Sequence, residues 1–308
     1  MSENFLSIFD VSKGDVERMM ARSAEHREMS AAGGIGKSLE GKAVGIFFEK
    51  PSTRTRVSFE AAAALLGAHP VLMDSASMQT NRGETLEDTA KVLSSYLDII
   101  VMRTHGQERL EEFAEHSAVP VINALSDLEH PTQALADMFT IASHDIDLSD
   151  FKLAYIGDGN NVANSLVGLS SVMGFDIAVA SPPGREPDRA VLNRSGMSNG
   201  RAAHITITDD PAEAVRDADV VYTDVWVSMG REGGAELRKL FEPYQVNADL
   251  LSAAPADAIV MHCLPAHRGE EITDEVMRSE RCVAFEQAKN KLHTAKSVLE
   301  FFLRWKEG

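Results

Sequence analysis

Short apolar segments rich in Val and Ile alternate with helix-forming segments along most of this 308-residue chain. Strands that are covered on both faces have such nearly continuous apolar runs, and their alternation with helices predicts parallel sheets with helices on both faces. The ten segments that we expect to be strands are residues 43–48, 70–74, 99–103, 119–124, 151–157, 176–180, 204–208, 220–225, 259–262 and 282–285.

The chain is about twice as long as a typical single domain, which favours two domains. A predicted helix at 131–144 runs into a polar segment that precedes a new strand, so we place the first domain at 1–146 and the second at 147–286. The expected fold class is α/β, with two doubly wound parallel-sheet domains joined by bridging helices. One of these is the 131–144 helix, and the C-terminal helix, 287–308, is expected to pack back on the first domain.

Two further helices are indicated by spacing and by stop signals. Residues 85–97 repeat leucine and alanine on one helical face, and residues 161–173 form a helical pattern that Gly174 closes. A glycine directly after the last periodic residue is a typical helix end.

The formal net charge of −17 argues against a broad binding surface for nucleic acids or anionic membranes, because such surfaces need clustered Lys and Arg. No apolar segment approaches the roughly 20 residues of a membrane-spanning helix, and the N-terminal residues lack the pattern of a secretory signal. Two cysteines are too few for a disulfide framework. We therefore expect a cytoplasmic protein without nucleic-acid or membrane partners.

Hydroxyl and guanidinium side chains follow the strand at 43–48, where the next helix begins. They belong to Ser52, Thr53, Arg54, Thr55 and Arg56. Open α/β sheets bind ligands beyond the carboxyl ends of their strands, and a helix N-terminus offers unpaired amides to an anion. A serine cap followed by surface arginines is the alternative. Three hydroxyls interleaved with two arginines favour a phosphate site.

Two more signals belong to the same half of the chain. Arg103 ends the strand at 99–103, so it can reach the same sheet edge. His130 and Gln133 stand at the start of the 131–144 helix, where Pro131 is favourable as the first helical residue. His130 can donate to a carbonyl oxygen, and Gln133 suits an amide. These residues can also be ordinary helix-start and surface residues. A ligand with a phosphate at one end and a carbamoyl group at the other would use all of them.

Together, the Ser-Thr-Arg-Thr-Arg segment at 52–56, His-Pro-Thr-Gln at 130–133 and His-Cys-Leu-Pro at 262–265 resemble the motifs of the aspartate/ornithine carbamoyltransferase family. They occur in the expected order and span nearly the whole chain. The resemblance implies an enzyme that transfers the carbamoyl group of carbamoyl phosphate directly to a substrate amine. We expect no metal and no organic cofactor, because no Cys/His/Asp cluster has the spacing of metal ligands.

The resemblance also implies which residues bind and act. Those expected to bind carbamoyl phosphate are Ser52, Thr53, Arg54, Thr55, Gln79, Arg103, His130, Gln133, Cys263, Leu264 and Lys291. Those expected to take part in catalysis are Arg54, Arg103, His130, Gln133 and Cys263. Because the amine attacks directly, Cys263 is not expected to form a covalent intermediate. Gln79 matches a residue that reaches carbamoyl phosphate in a neighbouring subunit, which implies a homotrimer or a multiple of trimers.

Residues 224–230 resemble the acceptor loop of the family's ornithine branch, and His-Cys-Leu-Pro is that branch's variant of the later motif. The implied acceptor is L-ornithine, with L-citrulline and phosphate as products. The implied ornithine-binding residues are Asn161, Asp224, Ser228, Met229, Cys263 and Leu264. Asp224 can pair with the α-ammonium of ornithine, whereas aspartate would require extra cations for its second carboxylate.

One position departs from the family pattern. Asn290 is followed by Lys291, where an arginine is usual. Lysine keeps the charge but lacks the planar fork of arginine, so we expect a differently arranged contact with carbamoyl phosphate. The change leaves room for another acceptor, such as N-acylated ornithine, or for an inactive family member that serves as a scaffold. Acylation would, however, remove the cation that pairs with Asp224.

A nucleotide-dependent dehydrogenase is a further alternative, because Gly157 and Gly159 follow a predicted strand. The third position of the dinucleotide-binding fingerprint is Val162 rather than glycine, so this signal is weak.

Overall fold

The computed structural model describes residues 4–34, 36–74, 83–196, 205–226 and 234–304, with the backbone alone at 74 and 304. The chain divides into two compact units. The first unit comprises Met1–Phe139 with Lys289–Gly308, and the second unit comprises Thr140–Ala288.

The first unit contains a parallel sheet with strand order β2-β1-β3-β4. Its strands are β1 (Ala43–Phe48), β2 (His69–Asp74), β3 (Ile99–Arg103) and β4 (Val121–Leu125). Its helices are α1 (Lys13–Ala31), α2 (Arg54–Leu65), α3 (Leu86–Leu93) and α4 (Gln107–His116), preceded by a 3-10 turn at Ile8–Asp10. The central strands β1 and β3 are buried almost throughout, as is typical of parallel strands that are covered on both faces.

The second unit contains a parallel sheet with strand order β7-β6-β5-β8-β9. Its strands are β5 (Lys152–Ile156), β6 (Asp176–Ala180), β7 (Ile205–Thr208), β8 (Val220–Thr223) and β9 (Ile259–His262). Its helices are α6 (Asn161–Met173), α7 (Arg189–Ser195), α8 (Pro211–Val215), α9 (Ala235–Phe241), α10 (Ala248–Leu251) and α11 (Asp274–Arg278), with a 3-10 turn at Glu242–Tyr244.

Two helices carry the chain from one unit to the other. The first unit ends at Phe139 inside α5 (Pro131–Ile141), and the chain returns at Lys289 inside α12 (Ala284–Arg304). No helix in the described part of the chain is long and apolar enough to cross a bilayer.

In each sheet the chain reverses its winding direction once. From β1 it first adds β2 on one side and then β3 on the other, and from β5 it first adds β6 and later β8. The predicted α/β class with two doubly wound parallel sheets is therefore confirmed. The carboxyl ends of the two strands at such a reversal are the usual ligand-binding position of an open α/β sheet.

The core of the first unit shows why its apolar pattern works. Phe47 of β1 and Met102 of β3 are fully buried against Leu110 and Phe113 of α4. The rings of Phe47 and Phe113 lie 6.0 Å apart between centroids. Burying a side chain of this size contributes about 1.5–3 kcal/mol, so this face of the sheet is held firmly beneath the strand ends.

Nine of the ten predicted strands are confirmed within one or two residues. Helix α6 spans the predicted residues and ends at Gly174, whose φ of 89° is left-handed. Helix α5 ends at Ile141 rather than 144, and α12 begins at Ala284 rather than 287.

The strand predicted at 282–285 is wrong. Cys282 forms only an isolated bridge with Val260, and α12 begins at Ala284. Ala284, Glu286 and Gln287 are good helix formers, so the chain becomes helical after a single strand-like contact.

The helix predicted at 85–97 is shorter than expected, because α3 ends at Leu93. The hydroxyl of Ser94 donates to the carbonyl of Lys91, and that of Ser95 donates to the carbonyl of Val92. Such local bonds compete with continued helix formation and explain the early end.

Candidate active site

In the first unit, α2 begins a few residues after β1 and points its N-terminus at the winding reversal. Its cap residue, Thr53, makes no side-chain hydrogen bond to the first amides of the helix. Thr55 is buried within the first turn, whereas Arg56 is exposed. A helix start without a side-chain cap leaves backbone donors for an anion, and the helix dipole favours negative charge there.

Arg103 lies beside this helix start, because the last residue of β3 pairs in register with Phe48 of β1. Its side chain is 6% exposed, and its Nε has no hydrogen-bond partner among the described residues. Burial, followed by the charge of Arg54, lowers the pKa of Arg103 to about 10, so the guanidinium remains cationic at neutral pH. A buried guanidinium N–H without an acceptor is unfavourable, and a phosphate oxygen would satisfy it.

The ammonium group of Lys291 connects α12 to this cluster. Its Nζ donates to Thr55 Oγ1 at 3.2 Å and to Gln133 Oε1 at 2.6 Å. Gln133 in turn donates from Nε2 to Asp137 Oδ1 at 2.7 Å. The cation at one end and the carboxylate at the other fix the orientation of the Gln133 amide. Asp137 was not predicted from the sequence, although it follows Gln133 by one helical turn.

His130 belongs to the same group of residues. It is almost fully buried, and burial followed by the charges of Lys291, Arg103 and Arg54 holds its pKa well below the usual 6.5. Its imidazole is therefore neutral at pH 7 and carries one N–H donor. A neutral donor among cations can bind a carbonyl oxygen that gains negative charge during a reaction.

Glu49, directly after β1, connects the ends of β1 and β3 through hydrogen bonds. Its carboxylate accepts from Arg109 Nε at 2.9 Å and Nη2 at 2.6 Å, and also from the hydroxyl of Thr104. Its backbone N–H donates to the carbonyl of Arg103 at 2.8 Å. Glu49 thus ties the end of β3 to the end of β1 and holds the backbone that carries Arg103. The sequence contained no signal for this role.

In the second unit, the ends of β5, β8 and β9 bring together Asn160, Asp224 and Cys263. Asn160 Nδ2 donates to Asp224 Oδ2 at 2.8 Å, and Cys263 Sγ donates to Asp224 Oδ1 at 3.0 Å. Both Asp224 and Cys263 are buried. Each carboxylate oxygen can accept more than one hydrogen bond, so Asp224 can still receive an ammonium group.

Asn160, which was not predicted as a site residue, donates to Asp224. It is also the cap of α6, because its Oδ1 accepts from the backbone amides of Val162 and Ala163. The hydroxyl of Tyr155 donates to the same oxygen at 3.2 Å. Burial, followed by the charge of Asp224, raises the pKa of Tyr155 well above 10, so it remains a donor. Asn161 is the partly buried first residue of α6.

His262 shapes the backbone that follows β9. Its Nδ1 accepts from the backbone amide of Leu264 at 2.8 Å, and its Nε2 lies 3.0 Å from Glu271 Oε1. These partners assign the N–H to Nε2. Leu264 has a φ of 59°, an unfavourable left-handed conformation that this hydrogen bond supports. His262 therefore has a positioning role that the motif alone did not reveal.

The ligand atoms of Asp224, His262 and Cys263 lie within 4.8 Å of one another, a set that a divalent transition metal could bind. Both ring nitrogens of His262 already have partners, and the thiol and the carboxylate are bonded to each other. The three side chains are therefore engaged in hydrogen bonds, and a metal ion could bind them only if these hydrogen bonds were broken.

The predicted residues thus form two groups, one in each unit. Thr55, Arg103, His130, Gln133 and Lys291 are buried in the first unit, with Arg54 close enough to influence the pKa of both Arg103 and His130. Ser52 and Thr53 directly precede α2. Asp224, Cys263 and Leu264 lie together in the second unit. Gln79, Ser228 and Met229 lie outside the described residues.

The chain matches two family models over nearly its whole length. Residues 3–143 match the carbamoyl-P binding domain of aspartate/ornithine carbamoyltransferase, and residues 149–302 match the Asp/Orn binding domain of the same family.

Individual proteins give the same result. The chain is 46% identical over 305 residues to an ornithine carbamoyltransferase of Geobacter metallireducens, covering 99% of this chain and 100% of that protein. It is similar to the solved structure of ornithine carbamoyltransferase from Pyrococcus furiosus, with a TM-score of 0.90, 44% identity and coverage of 96% and 95%. The corresponding structure from Gloeobacter violaceus has a TM-score of 0.87, 42% identity and coverage of 98% and 99%.

Proposed function

We propose that this chain, which belongs to the aspartate/ornithine carbamoyltransferase family, transfers the carbamoyl group of carbamoyl phosphate to the side-chain amine of L-ornithine, giving L-citrulline and phosphate. The observation that carries this proposal is the buried Arg103 guanidinium, whose Nε has no partner among the described residues. It lies at the winding reversal of the first sheet, beside Arg54 and the start of α2. A dianionic phosphate satisfies this donor and neutralises the cluster.

The phosphate group binds at the start of α2. Arg54 and Arg103 supply positive charge, and Ser52, Thr53 and the first backbone amides of α2 supply donors. The strong negative charge of the whole chain does not oppose this, because the field in a concave site is dominated by nearby groups. Glu49 keeps the two strand ends together beneath the phosphate.

The carbamoyl group is held by the residues around Lys291. Thr55, Arg103 and the neutral His130 donate to the carbamoyl oxygen and stabilise the charge that develops on it. Gln133 Oε1 accepts from the carbamoyl nitrogen, since a carbonyl oxygen can accept a second hydrogen bond beside the one from Lys291. The fixed orientation of the Gln133 amide makes this acceptor specific for an NH₂ group.

The second unit binds the acceptor. Asp224 pairs with the α-ammonium of ornithine, and Asn160 and Cys263 hold its carboxylate in place. Asn161, Ser228 and Met229 bind the α-carboxylate, while the backbone around Cys263 and Leu264 receives the side-chain amine. Asp224 favours free ornithine over N-acylated ornithine, because acylation removes the positive charge.

In the reaction the neutral side-chain amine attacks the carbamoyl carbon, and the bond from that carbon to the phosphate oxygen breaks. The amine proton leaves with the phosphate. No covalent intermediate with the enzyme forms. The Cys263 thiol donates its hydrogen bond to Asp224 and is not the attacking group. Much of the acceleration then comes from orientation and from stabilisation of the developing charge.

The proposal also includes the oligomeric state and the cellular location of the enzyme. Gln79 reaches carbamoyl phosphate bound to a neighbouring subunit, so the active form is a homotrimer or a multiple of trimers. The enzyme works in the cytoplasm on two small substrates, without metal or organic cofactor. Residues 1–146 with the C-terminal helix bind carbamoyl phosphate, and residues 147–286 bind ornithine.

Citrulline formation by the purified protein tests this function. Carbamoyl phosphate is supplied with ornithine, N-acetylornithine or aspartate in parallel reactions, and the ureido product and phosphate are both measured. We expect equal amounts of citrulline and phosphate with ornithine and little product with the other two. Preference for aspartate or N-acetylornithine would contradict the assigned acceptor, and absence of all products would contradict the assigned reaction.

A further inference from the structure

We propose that Lys291 is a site of self-modification, at which bound carbamoyl phosphate carbamoylates the lysine side chain when the acceptor amine is absent. The product is a homocitrulline residue at position 291. The inference rests on the proposed function, because it requires carbamoyl phosphate to occupy the first unit.

The position of the Lys291 nitrogen carries this inference. Nζ lies 3.2 Å from Thr55 Oγ1 and 2.6 Å from Gln133 Oε1, which are the groups that hold the carbamoyl group in the proposed complex. An atom bonded to both of these side chains lies within about two hydrogen-bond lengths of the carbamoyl group itself. The influence of Lys291 on the pKa of His130 places its charge in the same cluster.

The lysine amine is also chemically suited to attack the carbamoyl group. Its ε-amine is a primary alkylamine like the side-chain amine of ornithine, on a chain that is one methylene longer. In its neutral form it attacks the carbamoyl carbon, the bond from that carbon to the phosphate oxygen breaks, and the proton of the amine leaves with the phosphate. Atoms and charge balance without any further reactant. Proximity of the two groups raises their effective concentration.

Position 291 is a lysine in this chain, where the family resemblance implies an arginine. An arginine there would stay protonated and be a poor nucleophile, whereas lysine loses its proton more readily. The Lys291 side chain is 6% exposed, so reagents in bulk solvent reach it poorly. Selective modification of such a lysine would therefore report a reagent delivered by the binding site rather than by solution.

Modification also has a predicted consequence. A carbamoylated lysine is neutral, so it no longer offers a cation to Thr55 and Gln133, and its added group occupies space beside them. We expect enzyme that is incubated with carbamoyl phosphate alone to lose citrulline-forming activity progressively. Ornithine slows this loss because it consumes the donor, and inorganic phosphate slows it by competing for the same site.

The test is peptide mapping by mass spectrometry after incubation of the full-length protein with carbamoyl phosphate at mildly alkaline pH. A parallel sample receives cyanate, the reagent that free carbamoyl phosphate releases and that carbamoylates amines without a binding site. Lys37, whose side chain is 72% exposed, is the reference lysine in the same digest. With carbamoyl phosphate we expect Lys291 to react at least about tenfold faster than Lys37, and with cyanate we expect the order to reverse. Equal or slower reaction of Lys291 with carbamoyl phosphate would overturn the inference.

Two further measurements separate this inference from the proposed function. Lys291→Arg removes the nucleophile but keeps a cation, so whatever citrulline activity it has should survive incubation with carbamoyl phosphate. Progressive loss at the wild-type rate in this variant would assign inactivation elsewhere. Citrulline formation is assayed on the same wild-type preparation. If citrulline forms while Lys291 stays unmodified, self-modification alone is refuted, and if neither occurs, both proposals fail.

Discussion

The side-chain amide of Asn160 donates a hydrogen bond of 2.8 Å to the carboxylate of Asp224 while its oxygen caps α6. One residue thus joins the start of a helix to the carboxylate proposed to bind the α-ammonium of ornithine. The amide nitrogen of Asn160 makes the hydrogen bond to Asp224, and its amide oxygen caps the helix. Substitutions can therefore separate the two roles.

We predict that Asn160→Ser raises the KM for ornithine by about tenfold or more, because a hydrogen bond to a charged group contributes about 1.5–3 kcal/mol. Serine is also a good helix cap, so the melting temperature should change little. Asn160→Ala should raise KM similarly and lower the unfolding free energy by about 1 kcal/mol. Steady-state kinetics and thermal melts measure both effects. A normal ornithine KM in the serine variant would show that Asn160 serves only the helix.

Glu49 offers a comparable test in the first unit. Glu49→Gln weakens the ties to Arg109 and Thr104, so the strand end that carries Arg103 becomes less well placed. We expect the KM for carbamoyl phosphate to rise by about tenfold, with a smaller effect on the KM for ornithine. The matched control is Glu87→Gln, which removes an exposed ion pair with Lys91 and should change neither constant. A fall in melting temperature with unchanged kinetics would make Glu49 purely structural.

Arg54 and Arg56 are neighbours with different expected roles. Arg54 influences the pKa of both Arg103 and His130, whereas Arg56 is exposed on α2. We predict that Arg54→Ala lowers kcat/KM for carbamoyl phosphate by about 10²-fold or more, since it removes a charge-assisted phosphate contact. Arg56→Ala should stay within about twofold of the wild-type value. Near-normal turnover of the Arg54 variant, or equal losses in both, would refute the assigned phosphate contact.

The buried His293 makes the free energy of unfolding depend on pH. Burial, followed by nearby positive charges, lowers the pKa of His293 to about 4, whereas the unfolded chain has a value near 6.5. A depressed histidine pKa means that the unfolded state binds the proton first, so this histidine lowers stability as pH falls from about 6.5 toward 4. Replacing it with Gln should reduce the loss of unfolding free energy between pH 7 and pH 5 by about 1–2 kcal/mol. Urea unfolding at both pH values measures this, and an unchanged difference between them would contradict the prediction.

The features that could be predicted from the sequence depend mainly on residues that are close together along the chain. Nine of the ten predicted strands and the end of α6 at Gly174 could be predicted, because apolar pattern and glycine conformation are local properties. Thr55, Arg103, His130 and Gln133 could be placed near one another, because strand ends and helix starts meet at one edge of a parallel sheet.

The contacts that were not predicted from the sequence depend on the folded backbone rather than on local pattern. Glu49 acts through an arginine 60 positions away, and local sequence does not reveal that pairing. The hydrogen bond from Asn160 to Asp224 joins residues 64 positions apart, and local sequence did not predict it either. The motif at 262–265 indicated Cys263 but did not reveal that His262 supports the backbone of Leu264.

The most direct test of the account is a crystal structure of the protein soaked with carbamoyl phosphate, or with a mimic that joins both substrates through a phosphonate. We predict phosphate or phosphonate density at the N-terminus of α2, with one oxygen within hydrogen-bond distance of Arg103 Nε and the carbamoyl group against His130 and Gln133. Density at another place, or an empty site at saturating ligand, would contradict the claim that the first unit binds the carbamoyl donor there.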